Sequence, residues 1–322
     1  MKRILLLFLV LTMAVSLTAC GAGNVASLAD DGTVRVVTTI FPIYDWTRQV
    51  LGEDSEAELT FLLSTGVDLH SYQPTAADLL KLATCDLFIY VGGESDEWAE
   101  DALSEAANPN MIALNLMDVL GEDLAEEELV EGMEGEAEED ADEIEYDEHI
   151  WLSLKNAEKL VQAIADAMAE VDPENAETYA ANSENYVNQL ADLDAAYSSA
   201  VAAGEKDTLL FGDRFPFRYL TEDYGLNYYA AFSGCSAETE ASFETVVFLA
   251  NKVDELELPA VLTIENSDGR IAQTIVENTK SRDQLILTMD SMQGITGRDA
   301  NDGATYLGIM EKNLDILKQA LQ

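Results

Sequence analysis

Basic side chains and histidine are both scarce in this sequence. Its 322 residues include 17 lysines and arginines against 62 aspartates and glutamates, a formal net charge of −45. Nucleic-acid binding needs basic side chains that contact phosphates, so this composition argues against nucleic acid as a partner. The only two histidines are His70 and His149. Because imidazole is a common ligand of transition metals, we predict that these two residues hold a metal ion.

Long apolar runs are also lacking, except at the N-terminus. Lys2 and Arg3 precede an apolar stretch from Ile4 to Leu17, which is typical of a signal peptide, here residues 1–19. The sequence Leu-Thr-Ala-Cys-Gly follows the lipobox pattern, in which Cys20 becomes the lipidated first residue. We therefore predict an extracytoplasmic lipoprotein anchored in the lipid bilayer through acylated Cys20. An ordinary secretory leader with a chance cysteine is the alternative.

Two further cysteines, Cys85 and Cys235, lie far apart in the sequence. Export from the cytoplasm permits a disulfide between them. Cys85, however, stands at the start of an apolar strand-like segment, which favours a buried small residue instead.

Strand-like and helix-like segments alternate over most of the chain, a pattern typical of βαβ units around parallel sheets. Residues 174–203 form a helical segment without glycine or proline, long enough to join two lobes. The prediction is an α/β fold of two lobes with mostly parallel sheets, joined by a single long helix. The predicted strands are residues 34–39, 58–63, 86–91, 111–116, 207–212, 226–232, 260–265 and 284–289.

These segments divide the chain into predicted regions. Within the N-terminal lobe, residues 121–148 contain 16 acidic residues and no basic one, which predicts a mobile acidic surface insertion. The predicted regions are a lipidated N-terminus and linker at 20–33, an N-terminal lobe at 34–171, a connecting helix at 172–204 and a C-terminal lobe at 205–322.

Two segments carry a resemblance to a known family. GVDLHSYQPTAADL, around His70, and DEHIWLSLKNA, around His149, resemble the two histidine motifs of the zinc- and manganese-binding lipoproteins of ABC importers. FPIYDW, YLTEDYGL and SGCSAETEAS also match, and the resemblance extends from about Val34 to Leu321. It implies two α/β lobes of the cluster A-I solute-binding type, with the metal buried between them. It also implies an ABC permease as partner, and we expect a monomer.

The same resemblance implies particular ligands. His70 and His149 correspond to the two ligands from the N-terminal lobe. At the position of Arg214 the family usually has a histidine or a glutamate, whereas a guanidinium has only donors and cannot coordinate a cation. Asp213, one residue earlier, is therefore the predicted replacement.

The family's last ligand is an acidic residue after a late strand. Asp290 is assigned this role, and Glu265, at the end of the preceding strand, is the reserve candidate. The alternative is that these carboxylates and Asp213 are strand-end residues that pair with Arg214 or Arg270. Two imidazoles with two carboxylates suit zinc, and manganese is the second choice.

Three classes of function remain open. The first is a binding protein that captures a metal ion and delivers it to a permease without catalysis. The second is a membrane-tethered metal-dependent hydrolase, although the sequence has no HExxH, GxSxG or P-loop motif. The third is a surface adhesin, a role that is compatible with metal binding.

Overall fold

The computed structural model describes residues 32–135, 145–236 and 240–322. The predicted signal peptide, the predicted lipidation site Cys20 and most of the predicted linker lie outside these residues. Val34–Gln322 forms one compact unit, which contains both predicted lobes.

Two parallel four-stranded sheets carry the described strands, one in each lobe. The N-terminal sheet has the order β2-β1-β3-β4, and the C-terminal sheet has the equivalent order β6-β5-β7-β8. The strands are β1 (Arg35–Thr38), β2 (Glu58–Phe61), β3 (Leu87–Tyr90), β4 (Ile112–Asn115), β5 (Thr208–Phe215), β6 (Asn227–Ser233), β7 (Ala260–Ile264) and β8 (Leu285–Met289). All eight predicted strands are therefore found, and β5 continues beyond its predicted end.

Helices cover the faces of both sheets. Two short ones, α4 and α10, were not predicted from the sequence. The helices are α1 (Phe41–Leu51), α2 (Ala76–Thr84), α3 (Trp98–Ser104), α4 (Leu116–Leu120), α5 (Leu154–Val171), α6 (Ala176–Ala203), α7 (Arg218–Tyr224), α8 (Phe243–Leu256), α9 (Arg270–Asn278), α10 (Gly297–Asn301) and α11 (Tyr306–Ala320). No helix in the described part of the chain is long and apolar enough to span a bilayer.

Helix α6 is the long connection predicted from the sequence. Its 28 residues correspond to about 42 Å at 1.5 Å per residue. The residues with helical spacing, Tyr179, Tyr186, Leu190 and Leu193, are all buried. They pack the helix against α5 and α1 in the N-terminal lobe and against α7 and α11 in the C-terminal lobe. The two α/β lobes joined by one long helix are thus confirmed.

Side-chain caps fix the starts of several helices. Thr75 and Asp78 form a reciprocal capping box at the start of α2, and Ser153 caps α5 by accepting from the Asn156 backbone N–H. Such caps satisfy backbone donors that have no partner within the helix. The cap at Ser153 matters for the site because it ends the segment that contains His149.

One hydrophobic core extends through both lobes. Polar contacts reinforce it between the lobes: Trp151 Nε1–H donates to the Ser291 carbonyl at 2.8 Å, and Tyr306 O–H donates to the Trp151 carbonyl at 2.7 Å. Asp45 on α1 accepts from the Tyr306 backbone N–H at 2.7 Å. The lobes are therefore fastened together by buried contacts as well as by α6.

The described part of the acidic insertion differs from the predicted solvated loop. Ala125 is buried, and Leu124 and Met133 pack against the core. The Glu134 backbone pairs with β6, where its N–H donates to the Ala231 carbonyl at 2.9 Å. Backbone pairing and a few apolar side chains thus hold this segment against the C-terminal lobe, despite its charge.

Candidate metal centre

Four of the five predicted ligands lie at or beyond the carboxyl ends of strands: His70 after β2, Asp213 near the end of β5, Glu265 after β7 and Asp290 after β8. His149 instead follows the acidic insertion. In the N-terminal sheet the strand order reverses between β1 and β3. In the C-terminal sheet it reverses between β5 and β7. In open α/β sheets, ligands bind outside the carboxyl ends of strands near such a reversal. The two edges together therefore define where a shared site belongs.

His70 lies in a short 3-10 helix, Leu69–Ser71, that follows β2. Its backbone N–H donates to Asp68 Oδ1 at 3.2 Å, which fixes the turn. The ring Nδ1 is 2.7 Å from Ser95 Oγ, in the segment after β3. Burial, followed by the neighbouring His149, lowers the pKa of His70 to about 4. His70 is therefore uncharged at neutral pH, the state in which an imidazole can bind a metal.

His149 is completely buried, directly before the 3-10 helix Ile150–Leu152. Its Nδ1–H donates to Asp147 Oδ1 at 3.0 Å, and its backbone N–H donates to the same oxygen at 2.8 Å. Burial lowers the pKa of His149, but Asp147 and the nearby Glu148 and Glu127 outweigh burial and raise it. The contact with Asp147 fixes the ring orientation and leaves Nε2 free to bind a metal.

The two imidazoles face each other through their Nε2 atoms, which are 3.3 Å apart. Two nitrogens bound to one tetrahedral zinc at about 2.0–2.1 Å are about 3.3 Å apart. The spacing of the rings therefore matches that of two ligands of one zinc ion.

A third potential ligand, the thiol of Cys235, lies beside the two rings. The ligand atoms of His70, His149 and Cys235 are all within 4.8 Å of one another. Across residues 32–135, 145–236 and 240–322, this is the only such group of three or more histidine, cysteine or acidic residues. Burial and the nearby carboxylates of Glu127 and Asp147 raise the pKa of the thiol. Cys235 is free, and so is Cys85, which is buried as predicted.

Buried carboxylates surround this group. Glu148 Oε1 accepts from the Ser95 backbone N–H at 2.9 Å, and its Oε2 lies 3.6 Å from His70 Nδ1. Within the described residues, this Oε2 is buried and accepts no hydrogen bond. Burial raises the pKa values of both Glu148 and Glu127. A cation bound between the histidines would stabilise the ionised forms of these groups.

Asp213 and Arg214 lie near the end of β5, where the pairing with β6 is irregular. Arg214 Nη2 donates to Asp68 Oδ2 at 2.8 Å, across the two lobes. Asp213 Oδ1 accepts from the Arg214 backbone N–H at 2.9 Å, and its Oδ2 accepts from the Ile264 N–H on β7 at 3.4 Å. Asp213 is thus engaged within its own sheet and is not part of the group formed with His70.

Glu265 directly follows β7, and its carboxylate is hydrogen-bonded to the loop after β8. Its carboxylate accepts from the backbone N–H groups of Ser291 at 2.6 Å and Gln293 at 3.1 Å, and from the Ser291 hydroxyl at 2.7 Å. These bonds order the loop, whereas the alternative predicted from the sequence was an ion pair with Arg214 or Arg270.

Asp290 lies next to this loop, at the end of β8. Its Oδ1 accepts from the Met292 backbone N–H at 2.7 Å. Burial and the neighbouring Glu265 raise the pKa of Asp290 to about 6. Neither Asp290 nor Glu265 belongs to the group around Cys235. The ligand roles of Asp213, Asp290 and Glu265 remain predictions.

Cys235 was not among the predicted ligands, although a signal for it existed. It follows the predicted strand 226–232, at the same edge position that marked His70 after its own strand. It also lies within the SGCSAETEAS segment that matches the metal-binding lipoproteins.

A family model matches almost the whole compact unit. Residues 36–320 match the family described as zinc-uptake complex component A, periplasmic, or ZnuA. The chain belongs to the ZnuA family.

Three relatives illustrate the match. The zinc-binding lipoprotein AdcA of Streptococcus pneumoniae is 31% identical over 320 residues, which cover 99% of this chain and 61% of AdcA. The high-affinity zinc uptake system protein ZnuA of Bacillus subtilis is 28% identical over 322 residues, or 98% of this chain and 97% of that protein. The crystal structure of the Zn(II)-bound ZnuA-like domain of pneumococcal AdcA has a TM-score of 0.71 at 26% identity, covering 90% of this chain and 99% of the domain.

The names of these relatives describe zinc-binding and zinc-uptake proteins. This ZnuA-family chain spans about three-fifths of the length of AdcA. Arg214 forms an ion pair with Asp68, and Cys235 lies next to His70 and His149.

Proposed function

We propose that this ZnuA-family protein captures one zinc ion between its lobes and does not catalyse a reaction. The observation that carries the proposal is the pair of facing Nε2 atoms of His70 and His149, 3.3 Å apart. Each ring has its Nδ1 held by a neighbour, Ser95 or Asp147, so both rings are oriented before the ion arrives. The names of the relatives, which describe zinc-binding and zinc-uptake proteins, support the same ion.

The proposed carboxylate ligand is Asp290, and Asp213 and Glu265 remain the other candidates. Asp290 is adjacent to Ser291, whose carbonyl accepts from Trp151, and the Trp151 ring packs 5.2 Å from the His149 ring. Asp290 lies outside the group of His70, His149 and Cys235, so the loop after β8 would have to move for Asp290 to reach the histidines. Manganese, which prefers more oxygen ligands, is the alternative cargo.

We further propose that the protein is an extracytoplasmic lipoprotein that delivers zinc to an ABC permease. The sequence around Cys20 follows a lipobox, and AdcA of S. pneumoniae is named a lipoprotein. The lobes are joined by α6 and by buried contacts such as that of Trp151 with Ser291. Release therefore requires only a limited movement of one lobe against the other, a shear rather than a wide opening.

Metal analysis and competition test this proposal. The protein, treated with a chelator and then loaded with zinc, should retain one zinc per chain after gel filtration. Titration with zinc in the presence of excess manganese should still fill the site with zinc. Retention of no metal, or displacement of zinc by equimolar manganese, would contradict the proposed cargo.

Asp147 provides a prediction about how the site is held. Asp147→Ala should weaken zinc binding by about 10- to 100-fold, because the His149 ring loses the acceptor that orients it. Asp147→Asn keeps an oxygen at this position and should lose less affinity. Both affinities can be measured by competition with a zinc-binding dye. Equal affinity in Asp147→Ala and the wild type would show that His149 does not need this contact.

A further inference from the structure

The thiol of Cys235 lies beside the proposed zinc ligands His70 and His149, but the proposed function gives it no role. We infer that Cys235 Sγ is a zinc ligand of this protein, supplied by the C-terminal lobe where Arg214 cannot ligate. This inference rests on the proposed function and specifies the chemistry of the same site. The group of His70, His149 and Cys235 provides its geometry, because all their ligand atoms lie within 4.8 Å of one another. Tetrahedral zinc with nitrogen at about 2.0–2.1 Å and sulfur at about 2.3 Å places these atoms about 3.5 Å apart, so only a small approach of the thiol is required.

The fold brings the thiol to this point. Strands β5 and β6 are neighbours, and Phe215 near Arg214 is paired with Ser233, two residues before Cys235. The position of Arg214 near the end of β5 and the position of Cys235 after β6 are therefore adjacent along one sheet edge. Arg214 itself has only hydrogen-bond donors and forms an ion pair with Asp68 at 2.8 Å.

Gly234 allows the loop to approach His149 closely. A Cβ atom at this position would lie 2.8 Å from His149 Cε1 and 3.0 Å from the Phe215 carbonyl oxygen. A side chain there would force the loop away from the imidazole. The glycine thus places the backbone next to Cys235 directly against the ring of His149.

The surroundings of the thiol fit the reaction with a cation. Without the ion, the thiol is protonated and hydrogen-bonded to Glu127, a carboxyl group that also faces Asp147 and His149. When zinc binds, the S–H bond breaks, a Zn–S bond forms, and the proton is released to water. A bound metal deprotonates a coordinating thiol even where the free thiol has a high pKa. The negative charges around the group stabilise the complex as a whole.

A thiolate ligand has a consequence for metal selection. Soft sulfur ligands favour zinc, whereas manganese prefers oxygen ligands. Two imidazoles with one thiolate therefore discriminate against manganese more strongly than two imidazoles with carboxylates alone. Loss of the thiolate should reduce the preference for zinc without emptying the site.

Cobalt(II) replaces zinc in such sites and reports its ligands by absorption, so we would titrate the full chain and its variants with cobalt chloride. The wild type should show both the visible ligand-field bands of tetrahedral cobalt and a near-ultraviolet sulfur-to-cobalt charge-transfer band. Cys235→Ser should lose the charge-transfer band, keep weakened ligand-field bands, and bind zinc on the order of 100-fold more weakly. Manganese affinity should change much less.

Controls separate the possible failures. Cys85→Ala and Cys20→Ala remove the other two thiols and should keep the charge-transfer band. Tetrahedral ligand-field bands without a charge-transfer band in the wild type would overturn the role of Cys235 but leave zinc capture intact. Absence of both kinds of band, together with less than one zinc per chain, would overturn zinc capture itself. Thermal unfolding of Cys235→Ser close to that of the wild type would show that its effect is on the site and not on the fold.

Discussion

His70→Ala and His149→Ala should each weaken zinc binding by about 100- to 1,000-fold. Structural zinc sites with four ligands bind with about 10–16 kcal/mol, so one ligand contributes about 2.5–4 kcal/mol. Both rings are oriented toward the same point and neither has a substitute nitrogen nearby, because the sequence contains only these two histidines. Isothermal titration calorimetry with zinc, with a competing chelator for the wild type, measures the difference.

The two variants differ in their side effects. His149 is fully buried, so its removal also leaves a cavity and an unpaired Asp147, and His149→Ala should unfold at a lower temperature. His70 is partly exposed, and His70→Ala should lose affinity with little loss of stability. Asp213→Ala and Asp290→Ala, measured in parallel, identify which acidic residue is a ligand. Unchanged zinc affinity in both histidine variants would refute the site.

Asp45→Ala should lower the free energy of unfolding by about 2–3 kcal/mol. Asp45 is completely buried on α1 and accepts from the Arg48 guanidinium and from the Tyr306 backbone N–H at the start of α11. Alanine leaves both donors without their shared acceptor and removes a contact between the lobes. Urea denaturation, monitored by tryptophan fluorescence, measures the loss of stability, since Trp46 and Trp151 are both buried.

Two variants serve as controls for Asp45. Asp45→Asn keeps an oxygen acceptor and should lose less, about 1–2 kcal/mol. Asp54→Ala removes an exposed carboxylate in the turn after α1 and should change stability by less than about 0.5 kcal/mol. A loss in Asp45→Ala no larger than that in Asp54→Ala would show that the buried carboxylate is not needed.

The sequence predicted the strands and the long helix because their signals are local. β-branched and apolar runs mark β1, β3 and β7, which are buried along most of their length. The absence of glycine and proline over residues 174–203, with regularly spaced tyrosines and leucines, marks α6. Such patterns depend on a few neighbouring residues and need no knowledge of the rest of the fold.

The detailed site depends instead on contacts between distant segments. The position of the Asp213 carboxylate depends on the pairing of β5 with β7, because the carboxylate accepts a hydrogen bond from the Ile264 N–H. Glu265 is likewise occupied by backbone groups of a loop that begins 26 residues later. Cys235 reaches His149 only because β6 lies beside β5 and Gly234 permits a close approach. No pattern within one segment contains this information.

The hydroxyl of Tyr219 links the segment that contains His149 to the C-terminal lobe. It donates to the Asp147 carbonyl at 2.7 Å and accepts from the Ala125 backbone N–H at 3.2 Å. Tyr219 belongs to α7 of the C-terminal lobe, while His149 continues into α5 of the N-terminal lobe. The segment that carries this imidazole is therefore attached at both sides of the cleft. In the proposed function, a movement of one lobe against the other would strain the hydrogen bond between Tyr219 and the Asp147 carbonyl, so this bond would oppose release of the ion.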